Sequence, residues 1–593
     1  MFGVIGVAVA TFFVESGGVK LAVHERGRRD APTVLLVHGY PDTSATWDGV
    51  AEELANRFHV VTYDVRGAGE SDRPRRRSAY KLEQLAVDLR AVADAVSPHT
   101  PVHLVGHDWG SVQGWEAVTD PQTQSRFASY TSISGPSLDH AAAWIRARLT
   151  PRGLPAVLKQ SLKSWYIVLM HLPGFMPVMW RIGMAKSFVP TVRRIERLPQ
   201  REGDPWPAPT LANDGSRGVQ LYRANVLSGM RHPRERRTTV PVQVIAPTGD
   251  RYISPNFATS DLAQWTDKLW VRRVRAGHWV QHKSPDGVAR AITDLVTHVE
   301  GDVEPRALRR HRVGAASEAS KSGEFANQLV VVTGAGSGIG RETALAFGRL
   351  GAEVIIAELN EKAGEETASE LRVAGATAQA YQVDVSDVAS MEDFAKRVIA
   401  DHGVPDIVVN NAGIGIAGKF LDTTAADWQR IVDINLLGVV HGCRLFGAAM
   451  ADRLEGGYIV NVASAAAFTP SRMLAAYSAT KAAVLMLSES IGAEFADYGI
   501  GVSAICPGLI NTPITTSTRY VGVSDAEGRE AGQKMSKRYA RRNYPPSKVA
   551  NAIVKAVRER RPVVPVTPEA VGARFLSRLS PAFMRRLARV EVK

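Results

Sequence analysis

Short apolar runs alternate with helix-period patterns along most of the chain, and the alternation breaks twice. From residue 18 to about 300, β-rich runs fall at 33–37, 58–63, 102–105, 129–133, 242–246 and 269–274. Strands alternating with helices predict a mostly parallel sheet with its active site at the carboxyl ends of the strands. Between about 136 and 237 the strands stop and Trp- and Met-containing helical segments replace them. That predicts a lid inserted after the sixth strand, roofing the site with apolar surface. Residues 301–326 are polar, basic and without apolar period, which predicts an exposed linker. A second strand–helix series opens at 329–332. The predicted organisation is a first domain over 1–300, a linker over 301–326 and a second domain over 327–593.

Length agrees, since 593 residues exceed what one core can hold. Two cysteines, Cys443 and Cys506, exclude a disulfide framework, and His441 beside Cys443 is not a metal-ligand set, so no metal is expected. A reducing cytoplasm is the simplest compartment. The net charge of +13 comes with scattered basic clusters at 73–77, 234–237 and 309–312. No nucleic-acid-binding motif accompanies them, so they read as solvated surface, with acidic lipids or acidic carriers as the lesser alternative. Residues 1–14 are apolar but lack a signal peptide's basic region and are too short to span a bilayer. They read as a start running into the first strand, with peripheral membrane contact as the alternative. The basic stretch 573–590 can form an amphipathic helix that Pro581 should kink or split. Packing or oligomer contact is favoured for it over membrane docking.

The chemistry concentrates at turns after strands. The run 102–105 leads into Gly106-His107-Asp108-Trp109-Gly110 and then a helical pattern. This is the small-x-nucleophile-x-small layout of a nucleophile elbow, with a carboxylate where Ser is usual. After 33–37 comes His38-Gly39-Tyr40-Pro41, whose turn leaves a backbone N–H facing the site. With the N–H of Trp109 it would form an oxyanion hole. Asp250 and His278 follow later strands in the order nucleophile, acid, histidine, as orienting carboxylate and general base.

Residues 18–300 therefore resemble an α/β-hydrolase-fold epoxide hydrolase. The matches are His38 to Pro41, Gly106 to Gly110, Gly249-Asp250, Gly277-His278-Trp279 and two lid tyrosines, Tyr166 and Tyr222. The resemblance implies that both phenols grip the epoxide oxygen while Asp108 forms an alkyl ester, which a His278-activated water hydrolyses to a diol. The nearest rival is a haloalkane dehalogenase, which carries Asn where Tyr40 stands. Fluoroacetate dehalogenases carry Arg where Trp109 stands. A further alternative makes one domain a catalytically silent binding or assembly module.

In the second domain, Thr333-Gly-Ala-Gly-Ser-Gly-Ile-Gly340 lies between a strand and a helix, a dinucleotide fingerprint. Glu358 ends the next strand, placed for the adenosine ribose hydroxyls. Neither Ser337 nor Leu359 offers a positive charge for a 2′-phosphate, so NAD is expected over NADP. The remaining signals resemble a short-chain dehydrogenase/reductase over about 327–515: Asp384-Val385, Asn410-Asn411-Ala412-Gly413, Asn435, Ser464, Tyr477, Lys481, Pro507-Gly508 and Thr512. The resemblance implies Tyr477 as acid/base, Ser464 polarising the substrate oxygen and Asn435 holding a relay water. Lys481, one helical turn from Tyr477, would lower the phenol pKa together with the oxidised nicotinamide. Gly334, Ser337, Gly338, Ile339, Gly340, Glu358, Asp384, Val385, Asn411, Ala412, Gly413, Pro507, Gly508 and Thr512 would hold the cofactor with Tyr477 and Lys481. The predicted fold class is α/β: an α/β-hydrolase domain with a helical lid, then a Rossmann-fold dehydrogenase domain. The order resembles actinobacterial fusions of an epoxide hydrolase to an oxidoreductase, associated with lipid epoxides. By analogy, copies would assemble through the dehydrogenase domain.

Overall fold

The structure, a computed structural model, describes residues 9–200, 205–301, 303–313 and 323–587. The chain divides into two compact units, Met1–Gly314 and Ala315–Lys593, each built on its own sheet. The first sheet comprises β1 (Ala10–Ser16), β2 (Val19–Gly27), β3 (Thr33–Val37), β4 (His59–Tyr63), β5 (Val102–His107), β6 (Phe127–Ile133), β7 (Val242–Pro247) and β8 (Leu269–Val274). Their spatial order is β1-β2-β4-β3-β5-β6-β7-β8. From β4 onward the pairing is parallel, while β1 and β2 form an antiparallel hairpin at one edge. All six predicted strands form. Their unbroken apolar runs follow from burial on both faces: Val34, Leu35, Leu36, Val60, Val61 and Leu104 expose nothing. The chain passes from β3 to β4 on one side and returns to β5 on the other. The crevice at the carboxyl ends of β3 and β5 is therefore the topological switch point, where an open α/β sheet binds its ligand.

Between β6 and β7, among the described residues, six α-helices and a π-helical turn form the lid: Leu138–Ala147, Leu154–Lys163, Tyr166–His171, Phe175–Met179, the turn Trp180–Met184, Ala185–Glu196 and Leu211–Arg231. Met170, Met176, Trp180, Val189 and Val219 are buried and join the core of the sheet below. Two expectations need correction here. The basic cluster at 234–237 is not all solvated surface. Arg234 pairs with Glu116 at 2.8 Å and Asp139 at 3.1 Å, and Arg236 also pairs with Glu116. Glu116 and Asp139 are buried, and buried carboxylates demand such partners, so the arginines tie both stems of the lid to the helix Trp109–Thr119.

The proposed linker also starts too early. Val271 donates its N–H to the carbonyl of His311 at 2.9 Å and Val313 to that of Leu269 at 2.8 Å, so 311–313 pair with the edge strand β8. Leu308 is buried against Trp270 and Leu295. An open sheet edge is a row of unpaired backbone groups, and this segment covers it. At the far end Phe325 packs on Phe347 in the second core. Residues 314–322 of the expected linker, and 1–8 of the apolar start, lie outside the described residues.

The second sheet is parallel throughout: β9 (Leu329–Thr333), β10 (Glu353–Glu358), β11 (Ala378–Gln382), β12 (Ile407–Asn410), β14 (Gly457–Val462), β15 (Ile500–Cys506) and β17 (Val563–Pro565). Its order, β11-β10-β9-β12-β14-β15-β17, reverses between β9 and β12. A separate parallel pair joins β13 (Ile416–Ala417) to β16 (Arg519–Tyr520). The basic tail splits as expected, into Pro568–Leu579 and Pro581–Leu587. Among the described residues one helical run, 425–453, is long and apolar enough to cross a membrane, and half of its most apolar window is buried in the domain.

Two candidate active sites

In the first unit, β5 runs straight into Asp108, whose φ of 52° and ψ of −120° turn the chain into the helix Trp109–Thr119. A non-glycine residue at positive φ is strained, and such strain is the mark of an elbow that holds one side chain out. Close packing imposes the glycines. A Cβ on Gly110 would lie 2.2 Å from the Val37 carbonyl, and one on Gly39 2.5 Å from the Asp108 side chain. The backbone N–H of Tyr40 donates to Asp108 Oδ1 at 2.9 Å, and Trp109 opens the helix beside the same carboxylate.

The triad residues meet across three segments of the chain. His278 Nε2 lies 3.6 Å from Asp108 Oδ2 and Nδ1 2.9 Å from Asp250 Oδ2. The other Asp250 oxygen accepts the N–H groups of Tyr252 and Ile253 at 2.7 and 2.9 Å. Burial alone would depress the His278 imidazole, but Asp250 and Asp108 together lift it well above its ordinary value. Burial opposes ionisation of Asp250 as well, yet His278 and the two backbone N–H groups hold it below the usual carboxylate range. Neighbouring His107 goes the other way, pushed down to about 3 by burial and by His278. Neutral His107 donates Nε2–H to the His278 carbonyl at 2.9 Å, and its Nδ1 accepts from Gln281, which fixes the tautomer.

The lid supplies the phenols. Tyr166 and Tyr222 face each other edge-on at 6.0 Å between ring centres, and Tyr222 meets the Trp109 ring at 4.8 Å. Both hydroxyls are pushed far above the usual phenol range by burial and by the Asp108 charge, so both keep their protons. Tyr40 offers its backbone N–H to the site, while its phenol donates to the Gly215 carbonyl at 2.9 Å and accepts from Trp180 Nε1 at 2.5 Å. Those bonds tie it to the lid rather than to the reacting group.

Two carboxylates escaped sequence reasoning. Glu196, at the end of a lid helix, accepts the N–H groups of His278 at 3.0 Å and Trp279 at 3.1 Å, and burial pushes its pKa up. Buried Asp42 accepts indole N–H groups from Trp206 at 2.8 Å and Trp279 at 2.9 Å. Asp42 directly follows the His38-to-Pro41 motif and could have been suspected from that. Glu196 sits in a basic amphipathic helix with nothing to mark it.

In the second unit the loop 333–340 joins β9 to the helix Gly338–Arg349. Gly334 has φ +63° and lies so near Ala412 that a Cβ would come within 2.8 Å. Asn411 ties the loops together, its amide donating to the Thr333 and Gly334 carbonyls at 3.0 Å each. Glu358 accepts the Gly336 N–H at 2.9 Å. Ser337 and Ile339 sit at the helix start between Gly334 and Gly340, and Thr512 packs near Gly338. Val385 packs on the sheet, and the Asp384 carboxylate accepts from Ser386 N–H and hydroxyl. This glycine-lined hollow before a helix N-terminus, walled by Asn411 to Gly413, suits the pyrophosphate of a dinucleotide.

On the helix Ala475–Phe495, Tyr477 and buried Lys481 share a face, the ammonium 6.0 Å from the ring centre. Lys481 donates to the Val462 carbonyl at 2.9 Å and is pushed down to about 8 by burial. The Tyr477 phenol is raised by burial, with only Ser464 lowering it. The expected depression was by Lys481 together with the oxidised nicotinamide; with the protein's side chains alone, burial keeps the phenol raised. Asn435 Oδ1 accepts from Ile414 N–H at 2.8 Å and Nδ2 donates to the Ile414 carbonyl at 3.0 Å, which fixes the amide against the 414 loop. Sequence reasoning missed half-buried Tyr539, on the helix Asp525–Arg542, whose phenol is raised by burial and lies near enough to Tyr477 for each to oppose ionisation of the other. It also missed Glu569 in the tail, which accepts the Leu509 N–H at 3.0 Å just beyond Pro507 and Gly508, and pairs with Arg542. Glu569 thus ties the tail to the 507–509 loop. Among the described residues no cluster of His, Cys, Asp and Glu could hold a metal ion.

Comparison with known proteins agrees with both halves. Residues 32–285 match the alpha/beta hydrolase fold family, and 328–520 the short chain dehydrogenase family. The chain is 42% identical over 592 residues to the probable oxidoreductase EphD of Mycobacterium tuberculosis strain H37Rv, covering 97% of each chain. The chain belongs to the EphD family. It is a bifunctional hydrolase and oxidoreductase, with an α/β-hydrolase domain followed by a Rossmann-like short-chain dehydrogenase domain. The second half alone is 36% identical to 3beta-hydroxysteroid dehydrogenase 1 of Eggerthella lenta, over 36% of this chain and 80% of that one. A solved short chain dehydrogenase/reductase from Burkholderia phymatum, in complex with NAD, is 28% identical over 46% of this chain and 99% of its own, at a TM-score of 0.42.

Proposed function

We propose that the first site hydrolyses an epoxide, of a lipid-like substrate, to a vicinal diol, and that the second is an NAD-dependent alcohol dehydrogenase or ketone reductase. The observation that carries the first half is a carboxylate, not a hydroxyl, at the apex of the elbow, 3.6 Å from a histidine backed by Asp250. A carboxylate attacks a strained sp³ carbon well. Asp108 opens the ring, the C–O bond breaks toward oxygen, and the phenols of Tyr166 and Tyr222 hydrogen-bond the alkoxide. The oxygen takes a proton from a phenol, and the His278 imidazolium restores it. Ester formation removes the Asp108 charge, one of the two that hold the proton on His278, so the imidazole is left neutral. It then takes a proton from water as the water oxygen attacks the ester carbonyl. The oxyanion faces the N–H groups of Tyr40 and Trp109. Collapse expels the diol oxygen, which takes the second water proton, and Asp108 is again a carboxylate.

In the second site, bound NAD would lie on Gly334 to Gly340, with Glu358 at the ribose, Asp384 and Val385 on the adenine side, and Asn411 to Gly413, Pro507, Gly508 and Thr512 along its length. It supplies a hydride acceptor or donor and, when oxidised, a positive charge. Tyr477 moves the proton of the substrate oxygen, Ser464 hydrogen-bonds that oxygen, and Lys481 adds a positive charge nearby. A carboxylate at Glu358 favours a ribose hydroxyl over a 2′-phosphate.

Trapping decides the first reading. His278→Gln incubated with an epoxide panel should gain the mass of one substrate on Asp108. No adduct with any epoxide overturns it, and adducts with haloalkanes alone make the site a dehalogenase. For the second, nucleotide fluorescence should show NADH binding tighter than NADPH, and equal binding overturns the preference. Following NADH from an epoxide with NAD, in the natural protein and Asp108→Ala, tests whether the diol of one site feeds the other.

A further inference from the structure

The lid has a second apolar face, and it points to water. Its inward residues, Val157, Met170, Met176 and Trp180, are buried. On the same helices Leu154, Leu158 and Leu162 recur every fourth position and are exposed, as are Phe175, Val178 and Ile182 at spacings of three and four. Between these stripes lie Trp165, Val168 and Leu172, also exposed. Leu162 shows 76% of its surface, Ile182 71%, Val168 67% and Trp165 62%. Soluble proteins rarely leave so many large apolar side chains together in water without a partner for them.

Charge says which partner. Between residues 148 and 197 the chain carries nine Lys and Arg and one acid, Glu196. Arg152, Lys159, Arg181, Lys186 and Arg194 are exposed on or beside these helices. The lone acid is committed to the backbone of His278 and Trp279. Glu202 and Asp204, further on, lie outside the described residues. Arg148 is paired with exposed Asp261 across from the lid, but among the described residues of 148–197 no acid is exposed. An apolar face carrying Trp, set among such cations, is the composition of a surface that enters the headgroup region of an anionic membrane. A second copy of this chain would bring cations against cations.

We propose that the outer face of the lid docks on anionic phospholipid bilayers. The helix Tyr166–His171 links this face to the chemistry. Tyr166 points inward to Tyr222 and Tyr252, while Val168 on the same helix and Trp165 just before it point outward. A substrate carried in the bilayer would thus meet the site through one layer of helix; that consequence alone rests on the hydrolase reading above.

Co-sedimentation of the full chain with vesicles tests the docking, using phosphatidylcholine alone and an equal mixture with phosphatidylglycerol, with Trp emission as a second readout. Binding is expected to the mixed vesicles and to fall sharply at high salt. Leu162→Asp with Val168→Asp should weaken it about tenfold or more, and the milder Gln pair should weaken it less. Circular dichroism should show the natural fold in both, since these positions already lie in water. Phe575→Asp with Leu579→Asp, on the exposed basic tail, should leave binding intact. Loss in the tail variant but not the lid variant overturns the proposal, as does equal binding to neutral vesicles or binding to neither. Self-association that the lid substitutions abolish, without vesicle binding, would assign the face to a second copy. Salt-sensitive capture of an acidic protein without vesicle binding would assign it to a protein partner. The vesicle readout needs no turnover, so it fails separately from the epoxide reading.

Discussion

The two sites bury a cation each and move it in opposite directions. Burial depresses both, but His278 is bracketed by Asp108 and Asp250 and ends well above its ordinary value, whereas Lys481, held on a backbone carbonyl, is pushed from 10.5 to about 8. Desolvation opposes the charge in both places; whether a carboxylate faces the group decides which effect wins. The hydrolase centre carries its countercharges within the protein. In the dehydrogenase centre the buried Lys481 ammonium faces a backbone carbonyl, and at the Tyr477 phenol burial outweighs the hydrogen bond from Ser464.

The strongest way to break this contrast is at the nucleophile. Asp108→Ala should lower hydrolysis about 10⁴-fold or more, the scale of losing a triad member, while NADH-linked turnover of a simple alcohol stays unchanged. Coupled losses would mean the sites are not independent. Tyr477→Phe should do the reverse, costing the redox step about 10²–10⁴-fold, the range for a general acid/base, with hydrolysis intact. Tyr166→Phe or Tyr222→Phe should each slow ester formation about 10²–10³-fold, as for removing one oxyanion donor, measured by single-turnover mass shift. A change in ester hydrolysis alone would place the phenols elsewhere in the mechanism. Glu196→Ala leaves two backbone N–H groups without an acceptor, and about tenfold in hydrolysis is expected from roughly 1–2 kcal/mol. Glu196→Gln should recover part of it, which a merely steric role would not.

The smallest effect is a slope with pH. Lys481 holds its proton to about 8 folded and to 10.5 unfolded, so between those values the unfolded chain binds more protons and stability rises with pH. Lys481→Met removes that slope in chemical denaturation. Its advantage over the natural protein should be largest near pH 7 and shrink toward pH 10, and a constant difference would show that the lysine is not desolvated.

Much of both sites was legible because their chemistry lies within short motifs at strand ends. Asp108 and its glycines, the Tyr477–Lys481 pair and the glycine loop each keep their spacing in a few residues, and local geometry enforces it. Glu196 was not legible: its role depends on a lid helix crossing back to a loop 82 residues later in the chain. Arg234 and Arg236 read as surface because charge near a turn usually is, until buried Glu116 and Asp139 gave them partners. Asn435 was assigned by motif, and that its amide is fixed on the backbone of Ile414 emerged only with its neighbours placed.

By itself the sequence determined two strand–helix series, the order of nucleophile, acid and histidine, and the dinucleotide loop, because periodicity and turn chemistry are local. The tertiary structure decided the charge states of the buried groups, the reach of the first unit to residue 313, and which side of the lid is wet. Those depend on what stands within a few ångströms across the fold, and sequence spacing carries no record of that.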